Sequence, residues 1–287
     1  MNRLKEAIES ITQRKINRLS PLQGGCISAV SLIEWENLEI SVLKERPSQG
    51  VENTLQIEAR MLEFLRLHSD VPVPLVTHAD QNYLILSHIQ NDGIQEQDSE
   101  SHAAEIICAL HNVEGKSFGL EFDSVLAGFL LPNKSQRSWI HFFREQRLIH
   151  FTNLAYESRA IGSKTKDRIH HLAGKLTNLL TEPKRASLIH GDIWSGNLLW
   201  NRGKLRALID PAIYFAHPEM ELAFIRLFNT FGSNFFSAYE NRNGAIDRDF
   251  YKVRCDLYNL IPLLVHAILF GGSYKYSIDQ ILDKHGF

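Results

Sequence analysis

The segment His190-Gly191-Asp192-Ile193-Trp194-Ser195-Gly196-Asn197, with Asp210 further along, holds the residues best suited to chemistry. Asp192 can accept a proton from a hydroxyl nucleophile. Asn197 and Asp210 offer hard oxygen ligands of the kind Mg²⁺ prefers. A spacing of five between Asp192 and Asn197 lets a short loop turn both side chains toward one cleft. Asp and Asn beside Gly are also ordinary turn residues, so context decides. Ser187-Leu188-Ile189 reads as a strand leading in and Leu198-Leu199-Trp200 as one leading out. Asn201-Arg202-Gly203-Lys204 makes a turn, and residues 205–209 return as a strand that ends at Asp210, expected to point into the same cleft. His190 reads as a loop hydrogen-bonding residue, since Asp192 already supplies a base. Trp194 either packs beneath the loop or walls a substrate pocket.

Positioning elements can be sought upstream. Residues 30–35 and 40–44 are short strand candidates. Asn53 is a plausible N-cap for a helix to about residue 68, with Ile57, Met61, Phe64 and Leu65 at helical spacing. Val71-Pro72-Val73-Pro74 ends it in extended chain, and residues 83–86 form a buried-strand run. Residues 87–98 turn polar and suit an interlobe hinge, with Ser87 and Ile89 at its start as candidate nucleotide contacts. After residue 99 the chain reads as mostly helical: 103–111, 139–148, 166–180, 219–228 and 254–270, the last kinked at Pro262.

Within the first ninety residues, Gly24-Gly25 could bring backbone close to phosphate oxygens. Lys44 ends a strand where a kinase presents a lysine to the nucleotide phosphates, and Glu58 in the next helix could pair with it. The order of glycines, strand lysine, helix glutamate, hinge, His-Gly-Asp, Asn and Asp is that of the protein-kinase-like fold. The expected class is therefore α+β and bilobal: a small β-rich nucleotide-binding lobe over residues 1–90, and a larger, mainly helical catalytic lobe over 91–287.

With 287 residues, 44% hydrophobic and 22% charged, the composition is ordinary for a globular protein. A formal net charge of -2 argues against a basic nucleic-acid surface. Three cysteines (Cys26, Cys108, Cys255) are too few for a disulfide framework and suit a reducing compartment. Residues 1–20 lack an apolar core of signal-peptide length, and the apolar run 257–270 is short for a membrane span. A cytoplasmic protein, monomeric or homodimeric and bound to neither membrane nor nucleic acid, is expected. His111, His217 and His266 lack metal-ligand spacing and read as satisfied histidines. Cys26, next to the glycines, could make activity sensitive to oxidation.

The two motifs His190 to Asn197 and Ile209-Asp210-Pro211-Ala212-Ile213-Tyr214 resemble the signature of the fructosamine kinase (ketosamine-3-kinase) family. The similarity extends to Gly24-Gly25-Cys26-Ile27, to Phe118-Gly119, Gly128 and Leu131-Pro132, to the W-x-x-F-F-x-x-x-R-L pattern of residues 139–148, and to residues 257–260 and 269–274. It implies ATP- and Mg²⁺-dependent phosphorylation of the sugar 3-hydroxyl of a free or protein-bound ketosamine. The product is unstable and releases the amine, which associates the family with deglycation. By that resemblance Asp192 is the base, Asn197 and Asp210 the Mg²⁺ ligands, Lys44 the phosphate ligand and Glu58 its partner. Ala216, Pro218, Glu221 and Val265 depart from the pattern, and these changes bear on the acceptor. Other readings are a kinase for another hydroxylated amine, aminoglycoside- or choline-kinase-like, and a non-catalytic pseudokinase module. The intact Asp192, Asn197 and Asp210 set disfavours the pseudokinase.

Overall fold

The computed structural model describes residues 2–22, 28–47 and 51–287. Gly24, Gly25, Cys26 and Ile27 lie outside the described residues. In chain order the elements are α1 (Asn2–Thr12), β1 (Ile16–Pro21), β2 (Val30–Trp35), β3 (Ile40–Glu45), α2 (Thr54–His68), β4 (Val76–Ala79), β5 (Tyr83–Ser87), α3 (Ser99–His111), β6 (Glu114–Gly115), β7 (Ser124–Leu126) and β8 (Phe129–Leu131). Then come α4 (Trp139–Phe143), α5 (His150–Glu157), α6 (Ser163–Ala173), β9 (Ala186–Ile189), β10 (Leu198–Asn201), β11 (Lys204–Leu208), β12 (Tyr214–Ala216), α7 (Glu219–Leu227), α8 (Ser233–Asn243), α9 (Cys255–Phe270) and α10 (Ser273–Lys284).

The chain folds into two compact units. One takes in Met1–Ser99, Val125–Leu130 and Gly196–Ala212, and the other Glu100–Ser124, Leu131–Ser195 and Ile213–Phe287. A single cut at residue 90 therefore differs from the observed division. Of residues 87–98, expected as a hinge, Ser87 ends β5 and 88–98 are stitched to the β10–β11 hairpin within the first unit. The Asp92 amide donates to the Trp200 carbonyl at 2.9 Å, the Trp200 amide to Asn91 Oδ1 at 3.0 Å, and the Ser99 hydroxyl to the Gly203 carbonyl at 2.7 Å.

The first unit is built on a 5-stranded antiparallel sheet ordered β1-β2-β3-β5-β4. Alternation along the strands sends side chains to opposite faces. Ile33, Trp35, Leu43 and Ile85 pack with Ile8 of α1 and Ile16 of β1 on one face. Leu84 and Leu86 pack against Leu55, Ala59 and Leu62 of α2 on the other. Val42 belongs to that second cluster, so Lys44, two residues on, shares the α2 face. Asn53 does not cap α2 with its side chain: it adopts a left-handed φ of 64°, and its carbonyl accepts from the Ile57 amide at 3.0 Å.

In the second unit a 3-stranded sheet, β12-β9-β6, is packed among helices. The expected helix over 139–148 is α4 running into a π-helical turn, Arg144–Ile149, and then α5. The expected helix over 166–180 stops at Ala173 in α6, because Gly174 and Lys175 lead into a short 3₁₀ turn, Leu176–Asn178, that keeps Leu176 buried. The C-terminal apolar helix is longer than its sequence suggested: with its π-helical lead, Phe250–Phe270 is long and apolar enough to cross a membrane by length and composition, yet 67% of its apolar 18-residue stretch is buried. Leu257, Tyr258, Leu260 and Leu264 are fully buried, so α9 acts as a core helix. Pro262 lies inside it.

Candidate active site

In the first unit, strand, helix and hairpin converge on one cation. Lys44, 7% exposed, places Nζ 2.6 Å from Glu58 Oε1 and in contact with Asp210 Oδ1. Glu58 falls between Leu55 and Leu62 on α2, on the face the helix buries, which is why a carboxylate there reaches the sheet. Burial works against the Lys44 charge, and the Glu58 and Asp210 carboxylates outweigh it and hold the ammonium above its ordinary value. Burial, reinforced by the Asp210 charge, pushes the Glu58 carboxyl up against the pull of Lys44. The buried pair thus survives because each ion has a partner.

Asp210 follows β11 at a left-handed φ of 53°, a conformation rare for residues other than Gly, Asn and Asp. Strain of that kind clusters at functional positions. Its side chain keeps 46% of its exposure while touching Lys44. Asn197 closes a 3₁₀ turn, Ser195–Asn197, and is 3% exposed. Its carbonyl accepts from the Ile209 amide at 3.1 Å, which fixes Asn197 beside the end of the strand that delivers Asp210. A carboxamide and a carboxylate are the donor types a Mg²⁺ ion takes, so these residues fit the expected ion.

Ser87 and Ile89 have different surroundings. The Ser87 hydroxyl accepts from the Leu75 amide at 2.9 Å, and the Ser87 amide donates to the Leu75 carbonyl at 2.8 Å. That hydroxyl is committed to tying the end of β5 to the chain before β4. Ile89 is half-buried in the stitched segment.

Asp192 belongs to the second unit, because the division falls between Ser195 and Gly196. Its loop leaves β9, whose Ile189 pairs with Tyr214 of β12. Gly191 holds a φ of 84°, a region glycine enters without a Cβ clash. Both Gly191 and His190 then aim their amides at Glu221 of α7: Gly191 donates to Oε1 at 2.6 Å and His190 to Oε2 at 3.3 Å. His111 Nε2 donates to Oε2 at 2.9 Å, and its Nδ1 bonds the Tyr239 hydroxyl at 2.7 Å. Burial alone would raise the Glu221 carboxyl. The His111 hydrogen bond leads the contributions that outweigh it and hold the group below the ordinary carboxylate range. The Asp192 amide in turn donates to His190 Nδ1 at 3.4 Å, and Trp194 is half-buried.

In the sequence Glu221 stands out only as a departure from a family pattern. Its anchoring role was hidden, since its partners lie 31, 30 and 110 residues away. One signal was available: a charge in the midst of Leu222, Ala223, Phe224 and Ile225 needs buried donors. His111 and His217 are buried and hydrogen-bonded.

Comparison with known proteins gives the family and the fold. The fructosamine kinase family model matches residues 1–285. The chain is 28% identical over 290 residues to the chloroplastic protein-ribulosamine 3-kinase of Arabidopsis thaliana, covering 94% of this chain and 83% of that protein. Among solved structures, a candidate fructosamine-3-kinase from Thermobifida fusca superposes with a TM-score of 0.86 at 23% identity, over 99% of this chain and 98% of the other. An aminoglycoside phosphotransferase solved with ADP and hygromycin B gives a TM-score of 0.68 at 16% identity, over 99% of each chain. The fold is that of the protein-kinase-like phosphotransferases, and this chain belongs to the fructosamine kinase family.

Proposed function

We propose that the protein is an ATP-dependent ketosamine kinase that phosphorylates the sugar 3-hydroxyl of fructosamines and related glycated amines. The observation that carries this reading is the position of Lys44, held by Glu58 and Asp210. A lysine pinned between a helix glutamate and a metal-binding aspartate is the arrangement kinases use to grip nucleotide phosphates. Family membership supplies the acceptor class.

In this reading Asp192 receives the proton of the attacking sugar hydroxyl. Gly191 and His190, clamped by Glu221, keep the loop in place so that no reorganisation is needed at the moment of transfer. Lys44 balances charge on the donor phosphates. Asn197 and Asp210 would hold Mg²⁺, which when bound offsets the charge developing on the transferred phosphoryl group. Phosphorylation destabilises the ketosamine and frees the amine, which is the chemistry of deglycation. The test is ATP consumption with fructosyl-lysine, ribulosyl-lysine and an aminoglycoside as acceptors. Turnover confined to the two ketosamines supports the proposal, and turnover of the aminoglycoside alone replaces it.

A further inference from the structure

The Thr230 hydroxyl donates to the Ile193 carbonyl at 3.2 Å, so the segment after α7 touches the residue next to Asp192. Two residues before Thr230, Phe228 begins a run of rings within the second unit. Its centroid lies 4.7 Å from Phe224 and 5.1 Å from His266. The His266 ring lies 5.0 Å from Tyr274 and 5.5 Å from Phe270. The run is rooted in the core at Phe224 and opens toward solvent: Phe228, His266 and Tyr274 are half-buried, and Phe270 is 62% exposed. Contiguous exposed apolar surface marks binding sites.

The imidazole has a defined polarity. Nδ1 donates to the Pro262 carbonyl at 2.8 Å, which leaves Nε2 as the acceptor of the neutral ring. Burial holds the ring below the usual imidazole value. An acceptor nitrogen among aromatic rings suits an alkylammonium group, which offers N–H donors, positive charge for the π faces and methylenes for apolar contact.

We infer that the Phe228, His266, Phe270 and Tyr274 wall is the subsite for the amine-bearing end of the acceptor. The inference rests on the ketosamine-kinase reading. In a ketosamine the nitrogen lies four bonds from the oxygen to be phosphorylated. A hydroxyl brought to Asp192 therefore carries the ammonium group into the neighbourhood of that residue. Thr230, which holds the Ile193 carbonyl, follows Phe228, the first ring of the wall, by two residues. The sugar end is read at Asp192, and the amine and its alkyl chain along the rings.

The test compares the parent with Phe270→Ala, Tyr274→Ala and the double variant, whose rings are exposed or half-exposed enough to be removed without emptying the core. With fructosyl-lysine as acceptor, KM is expected to rise about two- to fivefold for each ring removed, while KM for ATP and the inhibition constant of free fructose stay at parent values. An unchanged fructosyl-lysine KM in the double variant overturns the inference and leaves the ketosamine-kinase reading standing. If the parent phosphorylates no ketosamine, that reading fails, and calorimetry with fructosyl-lysine decides the wall by itself. Weaker binding by the double variant then supports the subsite, and equal or absent binding overturns it. A parent that self-associates in light scattering, with a double variant that does not, would make the face an interface between copies and overturn the subsite as well.

Discussion

Glu221 and Gly191, 30 residues apart in the chain, are joined by a 2.6 Å hydrogen bond in which the backbone of the His-Gly-Asp loop donates to a buried carboxylate. The loop that carries Asp192 is thus anchored from α7, with His111 and Tyr239 completing the network. Replacing Glu221 by Gln turns an amide toward buried N–H donors. The expected loss is about 2–4 kcal/mol of stability, read as a denaturation midpoint. A fall in kcat at unchanged KM for ATP should accompany it. Parent-like kcat in a folded Glu221→Gln protein would separate this network from the reaction.

A second consequence concerns acid stability. Burial, followed by the Arg254 and His111 charges, depresses His217 from 6.5 to about 3. Its Nδ1 accepts from the Glu219 amide at 3.1 Å, satisfying a donor at the start of α7. Between those two values the unfolded chain binds a proton that the folded chain refuses, so stability falls as pH falls through this window. The expected loss is on the order of a few kcal/mol. Glu221, whose depressed carboxyl contributes stability above its unfolded value of 4.5, adds a further loss below that pH. Melting temperatures between pH 6.5 and 4.5 should decline less steeply in His217→Asn than in the parent. Identical slopes would remove His217 as the cause.

Lys44→Met leaves the Glu58 carboxyl without its cation, in surroundings that already push it up. Protonated Glu58 should let the fold survive. ATP affinity should fall about 10- to 100-fold, the worth of one charge-assisted contact to phosphate. Calorimetry with ATP measures it, and undiminished affinity would take Lys44 out of the nucleotide site.

Asp210→Asn removes a charged oxygen ligand but preserves size. The half-saturating Mg²⁺ concentration for ATP turnover should rise about tenfold or more, since ligand charge sets affinity for such ions. An unaltered Mg²⁺ requirement would reassign the ion to other residues.

Much of this layout was legible in the sequence because the signals are local. The strands Val30–Trp35 and Tyr83–Ser87, and α2 down to His68, follow from alternation and helical spacing over a few residues. The pairing of Lys44 with Glu58 followed from their order. Asn53 misled, because its side-chain type suits an N-cap while its backbone takes the left-handed turn that the same residue also tolerates. The end of α6 depended on Gly174, outweighed in the sequence by Leu176 and Leu180 at helical spacing. What no local pattern could supply was long-range pairing. The α1 and β1 segments, rich in charge, form structure because Ile8 and Ile16 close one face of the sheet. Residues 88–98 look like a polar hinge until Trp200 and Gly203 are placed beside them. Glu221 looks like a solvated helix charge until its three donors arrive from elsewhere in the chain.

The most direct measurement is phosphoryl transfer itself. The protein and its Asp192→Ala variant are incubated with Mg-ATP and fructosyl-lysine, and the phosphorylated sugar position is read by phosphorus NMR. The expected result is a phosphate ester on the 3-oxygen, formed by the parent and slowed about 10²- to 10⁴-fold in the variant, with ATP affinity retained. Transfer at the parent rate by Asp192→Ala, or no transfer to any ketosamine by the parent, would contradict it.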